Sequence, residues 1–233
     1  MTFDIITLFP EMFTGPFDQS IIKRAQDKKL VQINYHNLRK WAVDERGSVD
    51  DKPYGGGVGM ILKVEPVFNA LQAVSSKRLA VRKILLDPRG EKFTQKKARQ
   101  FSQLDQLILI CGHYEGVDER VREYLVDESI SIGDYVLTGW EIPAMVIIDA
   151  VTRLIPGVLT KPEAIEIESF SSHQNLKPSH YLEFPQYTRP EEFNGWKVPE
   201  ILLSGNHNEI EKWRKTCYSK FNETARNRGR KNS

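Results

Sequence analysis

The chain has 233 residues, of which 40% are hydrophobic and 27% are charged, and its net charge is +2. This composition fits a soluble globular protein of one or two domains. No apolar run reaches the roughly 18 residues that cross a bilayer, and the first residues lack the basic segment and cleavage site of a signal peptide. Cys111 and Cys217 lie far apart, without the spacing of a zinc site. We therefore expect a cytoplasmic protein with reduced thiols and no membrane association.

Strands and helices alternate over the first two thirds of the chain. Short β-rich apolar runs predict strands at 3–8, 31–37, 81–86, 106–111 and 128–132. Amphipathic or apolar patterns predict helices at 18–29, 65–74, 94–104, 118–126 and 143–155. Thr94 is the expected cap of the third helix. This alternation predicts an α/β domain with a mainly parallel sheet.

The last third of the chain has a different character. Residues 156–190 are polar and proline-containing, which is typical of a functional interdomain linker. Patterns at 198–204 and 209–221 then predict two helices, the second capped near Asn208. We expect a small helical C-terminal domain.

The positive charge is concentrated at the C-terminal end. Residues 213–233 hold seven Lys or Arg and one acid, while the preceding 212 residues hold 26 basic and 30 acidic residues. This excludes a uniformly basic nucleic-acid binder, so any affinity for phosphate must come from patches. The basic tail, with Tyr218 and Phe221 between its charges, fits a contact with nucleic acid. A solvated, frayed helix end is the alternative.

A glycine-rich segment, Pro53-Tyr54-Gly55-Gly56-Gly57-Val58-Gly59-Met60, lies in the first quarter of the chain. Four glycines in five positions are unfavourable inside a helix or strand. The segment is neither a P-loop nor a G-x-G-x-x-G fingerprint. It is therefore either a loop that approaches a ligand closely or a mobile surface loop.

Three more loops rich in small residues follow predicted strands, at 87–90, 112–116 and 133–139. Ligands of open α/β sheets bind at the carboxyl ends of the strands. The sequence therefore predicts a small-molecule pocket built by these three loops.

Four motifs carry a resemblance to one family. They are the glycine-rich segment, ICGHYEGVDER at 110–120, SIGDYVLTG at 131–139 and LLSGNH at 202–207. In this order, and together with IITLFPEMF at 5–13, they closely resemble the bacterial TrmD family, and the resemblance extends to about Arg214. Members of that family are tRNA (guanine-N1)-methyltransferases.

The resemblance implies a fold, an activity and an assembly. It implies a SPOUT-type α/β sheet domain with a deep trefoil knot over 1–158, a linker over 159–186 and a helical tRNA-binding domain over 187–233. It implies methyl transfer from S-adenosylmethionine to N1 of guanine 37 of tRNA, next to the anticodon, with Mg²⁺ needed for activity. A homodimer with a shared active site is implied as well: one subunit binds the cofactor, and the other supplies the linker and C-terminal domain.

The resemblance also assigns roles to individual residues. Glu168 is the expected general base and Arg153 the expected cation near guanine O6, with Glu166 as a rival base. Glu115 is the expected Mg²⁺ ligand. The expected cofactor-binding residues are Leu86, Pro88, Gly112, Tyr114, Glu115, Ile132, Gly133, Tyr135 and Leu137. The expected substrate-binding residues are Tyr54, Gly55, Gly56, Gly57, Gly59, Arg214 and Lys215.

The sequence departs from the family pattern at three places. Glu168 stands where the family has aspartate, Trp140 stands where it has glycine, and the segment 173–184 is longer than usual. Trp140 either stacks on the adenine or packs against a partner subunit. These departures leave a second function open, a tRNA-binding protein with impaired catalysis. A dinucleotide-dependent oxidoreductase is disfavoured because the G-x-G-x-x-G fingerprint is missing.

Overall fold

The computed structural model describes residues 1–75, 80–171 and 182–217. It divides the chain into two compact units, Met1–Thr160 and Lys161–Ser233. Within the described residues, no helix is both long and apolar enough to cross a membrane.

The first unit is built on a five-stranded sheet. Its strands are β1 (Thr2–Thr7), β2 (Gln32–Asn37), β5 (Val81–Lys92), β6 (Gln106–Cys111) and β7 (Glu128–Ser131). They lie in the order β2-β1-β6-β5-β7, and every neighbouring pair is parallel. The predicted α/β class and parallel sheet are confirmed. β1 and β6 are buried along their whole length, as expected of central parallel strands covered on both faces.

Five helices connect or flank these strands. They are α1 (Ser20–Asp27), α2 (Val64–Val74), α3 (Gln95–Phe101), α4 (Glu119–Tyr124) and α5 (Glu141–Thr152). The predicted cap of α3 is confirmed, because the Thr94 hydroxyl accepts a hydrogen bond from the backbone N–H of Lys97 at 3.3 Å. Two short 3-10 helices, Pro10–Phe13 and Leu38–Trp41, were not predicted.

A loop interrupts β5 where the sequence predicts that the strand ends. Leu86 pairs with Ile130, and the next residue to pair with Ile130 is Glu91. The segment 87–90 therefore leaves the ladder and forms a loop at the carboxyl end of the strand. Gly90 permits this path, since a Cβ at this position would lie 2.5 Å from the backbone of Ser129 and Ile130.

A short hairpin carries the glycine-rich segment. Asp50–Asp51 (β3) pairs antiparallel with Ile61–Leu62 (β4), so the segment 52–60 forms the loop between them. Leu62 also bridges to Val117 in the loop after β6. The hairpin is thereby fixed against the carboxyl end of the parallel sheet.

The second unit holds short elements. A helical turn, α6 (Ala164–Ile167), lies in the predicted linker. β8 (Glu192–Phe193) and β9 (Trp196–Lys197) form a hairpin, and α7 (Glu200–Leu203) and a helical segment over 207–217 follow. The prediction of a cap near Asn208 is wrong: Asn206 accepts the hydrogen bond from the backbone of Glu209. Tyr218, Phe221 and the rest of the basic tail lie outside the described residues.

Asp4 organises a buried polar cluster on β1. Its carboxylate accepts hydrogen bonds from Asn34 at 2.9 Å, from His36 at 2.8 Å and from Gln106 at 2.6 Å. Burial alone would raise the pKa of Asp4, but these hydrogen bonds outweigh it and lower the pKa below its usual value. The charged form of Asp4 is therefore favoured by folding.

Asp4→Asn is expected to reduce the acid sensitivity of the protein. A carboxyl group with a lowered pKa stabilises the fold above its unfolded pKa of about 3.9, and this contribution is lost as the pH falls through the lower folded pKa. At pH 7 the variant should lose about 1–3 kcal/mol, the cost of leaving buried partners unpaired, and the difference from wild type should shrink towards pH 3. Urea denaturation at several pH values measures this. Asp27→Asn, at an exposed ion pair with Lys23, should change stability little; a constant Asp4→Asn deficit at all pH values would contradict the linkage.

Candidate active site

A cavity of about 990 Å³ lies at the carboxyl ends of β5 and β6. Its walls come from the glycine-loop hairpin (51–54 and 61–65), the β5 loop (87–89), the segment 113–120 and the loop before α5 (136–138 and 140). The sequence predicted a pocket at the last three of these regions. The sequence did not predict the hairpin itself, but a loop that approaches a ligand closely was one of the two alternatives for its glycine-rich segment.

The nine predicted cofactor residues fall into two groups. Pro88, Tyr114, Glu115 and Leu137 line the cavity. The other five are not part of its lining: Leu86, Gly112, Ile132, Gly133 and Tyr135. Leu86 is buried in the core. The ring of Tyr135 lies over its own loop, close to Gly133: a Cβ on Gly133 would lie 2.4 Å from this ring.

The indole of Trp140 forms part of the cavity wall. A Cβ on Gly112 would lie 3.1 Å from Trp140 Cδ1 and 3.1 Å from Val117 Cγ2. Glycine at position 112 therefore lets the indole approach the loop after β6. Both predicted alternatives for Trp140, stacking on the adenine and packing against a partner subunit, stay predictions.

The glycine-rich loop is tied to the loop after β6 at its base. The backbone N–H of Glu115 donates to Met60 O at 3.1 Å, and that of Leu62 donates to Gly116 O at 3.0 Å. Of the predicted substrate residues in this loop, Tyr54 lines the cavity. The four glycines, Gly55, Gly56, Gly57 and Gly59, all have positive φ, from 81° to 139°, which explains the composition of the loop.

Gly59→Ala and Gly56→Ala make a matched pair. Both positions have φ above 80°, so each alanine should cost about 1 kcal/mol of backbone strain. At Gly59 the new Cβ would also lie 2.4 Å from Glu115 Cγ, whereas nothing lies within 4 Å at Gly56. We expect Gly59→Ala to lower activity several-fold more than Gly56→Ala, because it displaces a cavity carboxylate. Steady-state kinetics of both variants measures this; equal losses would show that the Glu115 contact is unimportant.

Charged side chains surround the mouth of the cavity. Asp87 accepts hydrogen bonds from the backbone and guanidinium of Arg89 and lies 2.6 Å from Arg122 Nη2. Burial raises the pKa of the Asp87 carboxyl, but its bonds to both arginines outweigh burial and hold the pKa below its usual value. Asp87 is thus a fixed negative charge that joins the β5 loop to α4.

Behind the loops lies a buried carboxylate that sequence reasoning missed. Glu141 is fully buried; its Oε1 accepts a 2.7 Å hydrogen bond from the Thr7 hydroxyl, and its Oε2 has no hydrogen-bond partner among the described residues. A Cβ on Gly139 would lie 2.5 Å from that oxygen and 3.3 Å from His113 Nε2. Burial first, and the Glu141 charge second, raise the pKa of Cys111. No motif marked Glu141, since an acid in the first turn of a helix is common at the surface.

The two predicted catalytic residues belong to different units. Arg153 follows the last turn of α5 as its C-terminal cap residue. Glu168 follows α6 in extended backbone, and its carbonyl accepts a hydrogen bond from Ser171 N at 3.1 Å. Of the predicted substrate residues near the C-terminus, Arg214 lies over the ring of Phe184, 4.5 Å from its centroid, and Lys215 pairs with Glu211 at 2.7 Å.

The predicted magnesium site gains no support from the geometry. Glu115 borders the cavity next to Gly59. In the part of the chain that the structure describes, no group of three or more His, Cys, Asp or Glu side chains could hold a metal ion. The donor set around Glu115 therefore does not form a metal cage.

The fold and the site define a class, that of α/β proteins with a ligand cavity at the carboxyl ends of a parallel sheet. The chain belongs to the TrmD family, since the family model described as tRNA (Guanine-1)-methyltransferase TrmD matches residues 1–230.

Curated relatives agree with this membership, and each is named tRNA (guanine-N(1)-)-methyltransferase. The one from Carboxydothermus hydrogenoformans is 56% identical over 215 residues, which cover 92% of this chain and 81% of the relative. The one from Dictyoglomus turgidum is 56% identical over 212 residues, 91% of this chain and 82% of the relative. The one from Staphylococcus carnosus is 52% identical over 214 residues, 92% and 84% of the two chains.

Proposed function

We propose that this protein transfers a methyl group from S-adenosylmethionine to N1 of a guanine in tRNA. The observation that carries the proposal is the cavity of about 990 Å³ at the carboxyl ends of β5 and β6, in a chain whose relatives are named tRNA (guanine-N(1)-)-methyltransferase. The volume falls at the upper end of the range for small-molecule sites. We further propose that the target is guanine 37, next to the anticodon, and that the protein acts in the cytoplasm.

The lining of the cavity fits a nucleoside with a charged tail. Pro88, Leu137 and Trp140 supply apolar and aromatic walls that suit an adenine ring. His113 also lines the cavity, and its Nδ1 is buried without a hydrogen-bond partner among the described residues. A buried polar atom without a partner is costly, and a polar ligand group would satisfy it. When bound, S-adenosylmethionine supplies an electrophilic methyl group on its sulfonium.

The chemical difficulty lies in the guanine. N1 carries a proton, and its lone pair attacks carbon only after that proton leaves. In our proposal the Glu168 carboxylate takes the proton from N1 and the Arg153 guanidinium stabilises the negative charge that develops on O6. The N1–methyl bond forms as the carbon–sulfur bond breaks, the bonding electrons remain on sulfur, and Glu168 ends protonated.

Glutamate fits the role of base despite its extra methylene. The backbone at Glu168 is extended, with φ −78° and ψ 166°, directly after the turn α6. The longer side chain allows the same carboxylate to reach N1 from a slightly more distant backbone. The rival, Glu166, lies within α6 and is exposed.

We also propose that the protein works as a homodimer with a shared active site. The apolar character of α5 supports this: Ile142 and Val146, one turn apart, are exposed on a helix whose other apolar residues are largely buried. A helix that is apolar all round is normally covered on all sides. A second copy of the chain would cover this strip. The proposal also includes a deep trefoil knot and a need for Mg²⁺. Its domain boundaries are 1–158 for the cofactor-binding domain, 159–186 for the linker and 187–233 for the C-terminal domain.

The experiment is methyl incorporation into tRNA that lacks the modification. Labelled S-adenosylmethionine and two transcripts, one with guanine and one with adenine at position 37, are incubated with the purified protein. We expect 1-methylguanosine in the first transcript alone after nuclease digestion and mass spectrometry. Tight tRNA binding without methyl incorporation would favour the alternative of a tRNA-binding protein with impaired catalysis.

A further inference from the structure

Two segments at the mouth of the cavity have the same local structure. In Asp87-Pro88-Arg89, the carboxylate accepts from Arg89 N at 2.7 Å, Nε at 3.2 Å and Nη2 at 3.1 Å. In Asp118-Glu119-Arg120, the carboxylate accepts from Arg120 N at 3.0 Å, Nε at 2.8 Å and Nη2 at 2.7 Å. Each aspartate thus holds the arginine two residues later by the same three bonds.

Both arginines are held in place and yet remain accessible. Their side chains are 60% and 59% exposed, and both line the cavity. Their hydrogen bonds within the described residues engage Nε and Nη2, so the two N–H donors of Nη1 stay available. A guanidinium whose rotamers are already fixed loses little further entropy when it binds an anion.

The two segments are also joined to each other. Glu119 Oε2 lies 3.0 Å from Arg89 Nη2, and Glu119 Oε1 lies 3.1 Å from Arg122 Nε. Arg122 in turn contacts Asp87 at 2.6 Å. The β5 loop and the start of α4 are therefore one rigid frame with an arginine at each end.

An exposed aromatic ring lines the same cavity as these arginines. Tyr54 is fully exposed on the glycine-rich loop. Both Tyr54 and Arg120 line the cavity. An exposed aromatic ring in the same cavity as a fixed guanidinium suits a nucleotide of single-stranded RNA, whose base stacks while its phosphate accepts hydrogen bonds.

We propose that Arg89 and Arg120 form a two-point clamp for backbone phosphates of the RNA substrate at the mouth of the cavity. This inference rests on the proposed tRNA substrate. Phosphate oxygens accept hydrogen bonds from the N–H groups of guanidinium, here those of Nη1, and phosphate contacts of this kind fix the register of a nucleic acid without reading its sequence. The clamp orients the nucleotides beside the target guanine. The carboxylate of S-adenosylmethionine is also an anion that accepts hydrogen bonds from arginine. The experiment must therefore distinguish binding of RNA phosphates from binding of this carboxylate.

Binding measurements on single and double variants test the clamp. Arg89→Gln, Arg120→Gln and the double variant are titrated with unmodified tRNA at several salt concentrations, and separately with S-adenosylmethionine by calorimetry. Each single variant should bind tRNA roughly fivefold more weakly, and the log–log salt slope should flatten by about 0.7–0.9 per arginine removed. Cofactor affinity should stay within about twofold of wild type, because the clamp contacts phosphate and not the cofactor.

Arg82→Gln is the matched control. Arg82 is an exposed arginine on β5 that pairs with Leu107 near the amino ends of the strands, at the opposite end from the cavity. It should leave tRNA affinity and the salt slope unchanged. Circular dichroism and the thermal midpoint check that each variant is folded.

Unchanged slopes in folded Arg120→Gln and in the double variant would overturn the clamp. So would a loss of cofactor affinity with normal tRNA binding, which would assign the arginines to the cofactor carboxylate. Failure of the proposed function looks different, since the wild-type protein itself would then not bind tRNA or not methylate it.

Discussion

Glu168→Gln is expected to lower the rate of methyl transfer at least about 10²-fold, the lower end for loss of a general base. The amide keeps the size of the side chain but cannot take the N1 proton of guanine. Glu168 lies in the second unit, outside the residues that line the cavity, so the affinity for S-adenosylmethionine should stay nearly unchanged. Single-turnover kinetics with saturating cofactor and tRNA measures the effect on the chemical step.

Two further variants distinguish the base from a general charge effect. Glu166→Gln removes a carboxylate two residues earlier, in α6, and should leave the rate close to wild type. Glu168→Asp restores the residue of the family pattern and should retain more activity than Glu168→Gln. Near-normal turnover of Glu168→Gln, with loss of activity in Glu166→Gln, would transfer the role to Glu166.

The parallel sheet was predictable because its three central strands, β1, β6 and β5, contain nearly continuous apolar runs. The stretches Phe3–Thr7, Ile84–Leu86 and Leu107–Cys111 are buried, and runs of this kind between helical patterns leave few alternatives to a parallel α/β core. The pocket followed from the same reasoning, since three loops rich in small residues come directly after strands. Parallel strands bring such loops to one edge of the sheet.

The hairpin that carries the glycine-rich loop was not predictable from periodicity. Each strand has two residues, Asp50–Asp51 and Ile61–Leu62, and alternation cannot be detected over two positions. A stronger signal was overlooked in the second unit. Asn194-Gly195 separates β8 from β9, and this dipeptide is a well-known signal of a tight hairpin turn.

The helix caps show how local rules leave choices open. Asn206 precedes the last described helix and Asn208 is the second residue of that helix, and asparagine caps helices well. Asn206 has Glu209 three residues later and accepts its backbone N–H, which is the spacing of a capping box. Asn208 has the same spacing to Glu211, so the sequence alone did not distinguish the two asparagines.

The sequence does not show which charged side chains near the site are buried. Glu141 and Asp87 look like ordinary surface acids in the chain, yet Glu141 is fully buried and Asp87 is 7% exposed. Their partners, Thr7 and Arg122, are distant in sequence. Only the arrangement of loops at the end of the sheet brings these groups together. The ring of Tyr135 lies against Gly133, and the cofactor contact expected of both residues stays a prediction.

A shared active site predicts that two inactive variants complement each other. Gly112→Trp should block the cavity, because even a Cβ at this position would lie 3.1 Å from Trp140 and Val117. Glu168→Gln removes the proposed base. Each homodimer should therefore be almost inactive. A heterodimer of the two contains one site with an intact cavity and an intact base and one site with both lesions, so it should show about half of the wild-type activity.

Co-expression with two different affinity tags and sequential purification isolates this heterodimer. Its activity is compared with both homodimers and with a doubly tagged wild-type dimer that has passed through the same steps. If the base acted on the cavity of its own subunit, each site of the heterodimer would carry one lesion and the activity would stay at the level of the homodimers. A protein that sediments as a monomer and still methylates tRNA would likewise contradict the shared site. Recovery to about half of wild type requires that the cavity of one copy works with Glu168 of the other.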